Sequence, residues 1–138
     1  MAMSWKVEVG INNVPAYQVS GRPFASASID LTGSANVVDF PYVTRWFQVI
    51  NRSSSPMRVG FSQFGVTGGG GGNYYFTVDA SGSNGYGKSE VYEMKVSSLY
   101  LYGSSSPGVC DVVAGLTTIP RQRTSGSLGP NFSGSVGV

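Results

Sequence analysis

The chain has 138 residues, of which 41% are hydrophobic, 12% aromatic and only 12% charged, with 20 Gly and a comparable number of Ser. That length fits one domain with a core of its own, and the poverty in Glu, Lys and Ala argues against a helical surface, leaving all-β as the favoured class. Nine Lys and Arg against seven Asp and Glu leave a formal net charge of +2 with no basic block, which excludes a nucleic-acid footprint.

In chain order, Trp5, Val7, Val9 and Ile11 alternate with Lys6 and Glu8 and predict a short strand that stops at Asn12-Asn13. Residues 14–23, bounded by Pro15 and Pro23, read as an irregular crossing segment. Ala25, Ala27, Ile29 and Leu31 then share one side of a strand, with Ser26, Ser28 and Asp30 on the other. The small residues on the first side predict that something bulky packs over them.

Residues 42–66 form the densest strand-forming block. Val43, Phe47 and Val49 share a face that Arg45 interrupts, and Met57, Val59 and Phe61 share another. Between them, Asn51-Arg52-Ser53-Ser54-Ser55-Pro56 is a polar connection, so the block reads first as a hairpin. Glycines 68–72 predict a flexible loop. Further strands are predicted where Tyr74, Phe76 and Val78 alternate with Tyr75, Thr77 and Asp79, over residues 90–96, and where Leu99 and Leu101 alternate with Tyr100 and Tyr102.

Residues 109–116 are apolar nearly throughout, as a strand buried on both faces is, with Asp111 the exception. About eight strand candidates at roughly even spacing are the signature of a sandwich or barrel, and no ten-residue stretch carries a helical stripe. From residue 119 onward the alternation is lost, which predicts a flexible C-terminal arm, either untethered or docked on a neighbour. The organisation expected is an N-terminal strand and crossing segment over 1–24, a sandwich domain over 25–118 and the arm over 119–138.

Residues 82–89, GSNGYGKS, satisfy the phosphate-cradling pattern G-x-x-x-x-G-K-[ST]. That chemistry demands a helix starting at Lys88 and a parallel sheet behind it, whereas residues 90–102 alternate with period two. An accidental match in a Gly- and Ser-rich chain is therefore the preferred reading. The absence of His removes the usual base for a Ser or Cys nucleophile and the commonest zinc ligand. Glu90 and Glu93 point to opposite faces of an extended strand, so no carboxylate pair is set up for glycosidase chemistry.

No catalytic, cofactor-binding or metal-ligating residue is therefore nominated, and no enzyme is expected. Cys110 reads as a core residue; as the only cysteine it allows no disulfide within one chain, and a reducing site of folding follows. Asp111 needs a hydrogen-bonding partner, for which Arg45 is the candidate. The start, Met1 to Lys6, lacks a secretory signal's apolar core and no run is long enough to span a bilayer. The N-x-S sequons at Asn51 and Asn131 are accordingly expected to carry no sugar.

Trp5, Trp46, Tyr75, Tyr100 and Tyr102 fall opposite the aliphatic faces of their strands. Such aromatic rows can cover a second face, bury in a subunit contact or stack on sugar rings.

The succession Arg45-Trp46-Phe47-Gln48-Val49-Ile50-Asn51, Arg58-Val59-Gly60-Phe61-Ser62, Asn73-Tyr74-Tyr75-Phe76 and Val113-Ala114-Gly115-Leu116-Thr117 resembles the single jelly-roll penton proteins of large icosahedral double-stranded DNA viruses. The resemblance spans residues 25–118. It implies an eight-stranded antiparallel single jelly roll, five copies of which would form a homopentamer at each five-fold vertex, flanked by the double jelly-roll major capsid protein and other minor capsid proteins. The protein would be made in the host cytoplasm, reside in the virion and work by assembly alone. In such a fold consecutive strands cross between sheets, so Phe47 and Val49 would face Val59 and Phe61 across the core rather than pair beside them. A carbohydrate-binding jelly roll using Trp46 and surface tyrosines is the alternative.

Overall fold

The structure is a computed structural model and describes residues 21–32, 35–68, 73–82, 85–103, 108–133 and 137–138. Eight strands are present: β1 (Arg22–Asp30), β2 (Asn36–Asp39), β3 (Tyr42–Asn51), β4 (Met57–Gly60), β5 (Tyr75–Val78), β6 (Gly87–Lys88), β7 (Ser98–Gly103) and β8 (Val109–Pro120). They form two four-stranded sheets, ordered β1-β8-β3-β6 and β2-β7-β4-β5. Antiparallel partners nest from the outside in, β1 with β8, β2 with β7, β3 with β6 and β4 with β5. A long hairpin rolled up on itself in this way is a jelly roll.

The core lies between the sheets. Phe47, Val49, Cys110, Val112 and Ala114 come from the first sheet and Val38, Met57, Val59, Val78, Leu99 and Leu101 from the second. Strands β3 and β4 stand in opposite sheets, as the crossing arrangement requires, and the Phe47 and Phe61 rings meet with centroids 6.4 Å apart. The connection between them is held by Asn51, whose buried amide Nδ2 donates to the carbonyls of Ser55, Val78 and Asp79 while its Oδ1 accepts from the Ser53 N–H and hydroxyl. A single side chain thus ties the end of β3 to the end of β5 in the other sheet.

Register shifts on two strands alter what alternation alone predicts. On β1 the register to β8 slips between Ser26 and Ile29, so Ala27 and Ser28 together oppose Asp111, and Ser28 takes φ 56°. The slip moves Ala25 and Ala27 to solvent, while Phe24 turns inward to meet Phe40 edge to face at 4.9 Å and Leu31 is buried. The expectation that Ala25, Ala27, Ile29 and Leu31 share one face is corrected accordingly: an inserted residue reverses the parity of every side chain beyond it. On β3 the register to β8 shifts twice, between Tyr42 and Thr44 and between Thr44 and Trp46, and within this irregular stretch Val43 and Thr44 are buried while Arg45 is partly exposed.

Strand membership also differs from expectation. Residues 36–39 and 87–88 are strands that the alternation missed, both too short to show a period. Residues 90–96 run beside β3 without forming a regular strand: Phe47 and Tyr92 exchange both backbone bonds, but at Thr44 the side-chain hydroxyl donates to the Met94 carbonyl and accepts from the Val96 N–H. The Thr44 backbone N–H also donates to the Val96 carbonyl, so the side chain supplements the backbone contact there. The predicted strand over residues 5–11 and glycines 69–72 lie outside the described residues.

Gln63–Thr67 forms a five-residue helix, α1, capped by the Ser62 hydroxyl at its start and by Gly68 at φ 78° at its end. Gly60 lets it sit down on the sheet, since a Cβ there would come within 2.9 Å of the Val66 Cβ.

The flexible arm expected from residue 119 is instead folded onto its own chain through residue 133. Strand β8 continues to Pro120, a 3-10 turn follows over Arg121–Thr124, and Asn131 is 3% exposed. Its Oδ1 accepts from the Ser97 N–H and its Nδ2 donates to the carbonyls of Phe61 and Ser98. Asn131 also takes φ 58°, a left-handed conformation that Asn tolerates better than most residues. Composition gives no sign of this docking because polar contacts hold the segment, those of Asn131 joined by Ser97 to Thr124 and by Arg121 to the Phe40 carbonyl, and these leave no apolar alternation. Asn51 and Asn131 are both buried with their amides hydrogen-bonded, so a sugar on either would not fit this fold.

Candidate interaction surfaces

Many of the polar side chains are used internally. The described part of the 82–89 run lacks the geometry of a phosphate cradle: Gly82 and Gly85 pair with each other, Gly87 and Lys88 pair with Asn51 and Ile50 of β3, and no helix starts at Lys88. The Ser89 hydroxyl accepts from the Val49 N–H and donates to the Glu90 carbonyl, so it is committed to the fold. Among the described residues no three His, Cys, Asp or Glu side chains come together as a metal site would need.

Asp111 takes a different partner from the one expected. Its Oδ1 accepts from the Ser28 N–H and lies 3.4 Å from the Arg52 Nε, while Arg45 pairs with Glu93 at 2.6 Å. Strand β8 places Asp111 opposite the β1 bulge, and the Arg52 guanidinium bridges both by donating to the Ser28 hydroxyl. The ion pair therefore secures a bulge. At the other end of the sandwich, the Ser98 hydroxyl donates to the Asp39 carboxylate and, with Arg121 beside it, holds that group below the usual carboxylate range.

Cys110 is buried, and burial together with the neighbouring Asp111 charge pushes its thiol up from 9.0 to about 12. The folded pKa lies above the unfolded one, so the neutral thiol's contribution to stability is fully present below about pH 9 and is lost as pH rises toward 12. Native protein at pH 8 is expected to leave Cys110 unmodified by iodoacetamide, with full alkylation after unfolding in urea. Rapid native alkylation would contradict this burial.

The aromatic residues singled out from sequence divide between the two outer faces, except Trp5, which lies outside the described residues. Trp46 faces out from the first sheet beside Gly115, its partner in register, and rims a shallow groove lined by Pro23, Ala25 and Val113. Tyr75, Tyr100 and Tyr102 face out from the second sheet. All four are half-buried, so they cover sheet faces as well as offering contact. Alternation located these residues; it carried no sign of Arg58, which lies between two of the tyrosines, because side chains on three strands meet there only in the folded sheet.

Neither protein-family models, nor curated proteins, nor solved structures yield a match to this chain.

Proposed function

We propose that the protein is a structural capsid component, a single jelly roll that assembles as the pentameric penton at the five-fold vertices of an icosahedral virion. The observation that carries the reading is the nesting of β1 with β8 through β4 with β5, in a chain whose penton-like segments fall on or beside β3, β4, β5 and β8. One jelly roll per chain suits a ring in which one face of each copy meets a different face of the next, and the two sheets offer unlike outer faces. The ring would meet the double jelly-roll major capsid protein at its flanks, and no chemistry is required of it.

Purified protein is expected to form five-fold rings by electron microscopy and to sediment as a pentamer. A protein that stays monomeric at high concentration and has no place in a particle map overturns the reading. The rival reading, a carbohydrate-binding module, draws on Trp46 at the rim of its groove, an aromatic platform of the kind sugars stack on. Apart from Arg22 that groove is lined by apolar residues and glycines, which leaves few side-chain groups to orient a sugar's hydroxyls. Glycan-array binding lost on Trp46→Ala would reverse the preference.

A further inference from the structure

Arg58 lies on β4 directly opposite Tyr102 of β7 and Thr77 of β5, with Tyr75 two residues before Thr77. Its guanidinium carbon sits 4.4 Å from the Tyr75 ring centroid and 5.5 Å from that of Tyr102. Ring faces supply no oxygen acceptor, so the five N–H donors of the guanidinium remain available for one. Among the described residues Arg45, Arg52 and Arg121 each have a carboxylate, Glu93, Asp111 and Asp39 respectively, whereas none lies within ion-pair distance of Arg58. The guanidinium is thus held in place by two rings, with no carboxylate among the described residues to compensate it. Thr77 is exposed and, being in register, puts its hydroxyl on the same face.

We propose that Arg58, flanked by Tyr75, Tyr102 and Thr77, is a docking point for a carboxylate carried by an acidic segment of a protein partner. The rings hold the long side chain before binding, which removes most of the ordering cost that a free arginine would incur. The planar fork matches a carboxylate through two parallel charge-assisted hydrogen bonds. A protein partner is favoured over a nucleic acid because Arg58 stands among tyrosines, with Val37 and Tyr100 extending the face, while the charges next to Tyr100, Arg121 and Asp39, pair with each other; this is the composition of protein contacts and not of a phosphate track.

The test is a titration of the isotope-labelled full chain with an end-blocked glutamate peptide at low ionic strength, followed by NMR. Saturable shifts are expected at the Arg58 Nε–H and in β4, β5 and β7. Arg58→Ala is expected to weaken binding about tenfold or more, and Arg58→Lys by less, because an ammonium keeps the charge but not the fork. The proposal is overturned by absent binding, by shifts spread over all basic residues, by shifts that persist in Arg58→Ala, or by inorganic phosphate reproducing them at equal ionic strength. Should Arg58→Ala fail to fold, the wild-type shift map and the phosphate comparison still decide. The readout needs no ring, so it stands or falls apart from pentamer formation.

Discussion

Replacing Asn51 by Ala is expected to destabilise the protein by about 3 kcal/mol or more, since several buried partners lose their hydrogen bonds at once. Asn51 is 0% exposed, so water cannot substitute for the lost amide. The carbonyls of Ser55, Val78 and Asp79 lose a donor, and the Ser53 N–H loses its acceptor. A domain of this kind has roughly 5–15 kcal/mol in total, so the variant would approach the limit of folding. Ser53→Ala removes one bond of the same set and is expected to cost only about 1 kcal/mol. Asn51→Asp keeps the acceptor but turns a carboxylate toward three carbonyls, and is expected to be at least as damaging as Ala. Urea unfolding of the three variants checks the order; an Asn51→Ala loss no greater than that of Ser53→Ala would show that the crossing does not depend on this side chain.

Phe47→Ala is expected to cost about 3–5 kcal/mol, the transfer loss of a buried aromatic plus the cavity left behind. Phe47 is 0% exposed, with ring contacts to Phe61 at 6.4 Å and Tyr92 at 5.6 Å. The Tyr92 contact matters because residues 90–96 have no regular ladder to hold them, and the backbone bonds at this pair join the Thr44 contacts to Met94 and Val96 in tying the segment to β3. Phe47→Leu fills much of the volume and is expected to lose less than half as much. The same variants examined by amide exchange should show protection falling first near Tyr92; uniform loss across both sheets would indicate that this segment opens only with the whole domain.

Much of the fold was legible along the chain, and particular residues show why. Phe47, Val49, Met57 and Val59 alternate cleanly and are all buried in the core, because a strand of one packed sheet must turn every second side chain toward the other. Arg45, an interruption in that alternation, marks a register shift. The Ala25 to Leu31 strand was misjudged in facing because a bulge leaves a run of apolar and polar residues looking regular while reversing its second half. Asp111 was matched to the wrong arginine because partner choice depends on where β8 lies against β1.

The interaction surfaces were half legible. Tyr75, Tyr100 and Tyr102 could be assigned to an outer face by parity, but the Arg58 clamp needed β4 to be set between β5 and β7, a neighbour relation that no local period encodes. The same holds for the tail, where Asn131 sits in a Gly- and Ser-rich stretch with no apolar pattern and yet reaches Phe61, Ser97 and Ser98.

By itself the sequence determined an all-β chain of eight strand candidates, the buried faces of β3, β4 and the strands around them, and the lack of histidine. These follow from side-chain size, polarity and period, which act within a few residues. The tertiary structure alone decided which strands nest, where the bulges fall, which residues 90–96 and 119–133 contact, and that Arg58 sits between two tyrosine rings. Those outcomes turn on hydrogen bonds and charges between residues far apart in the chain, whose partners exist only once the two sheets have closed on each other.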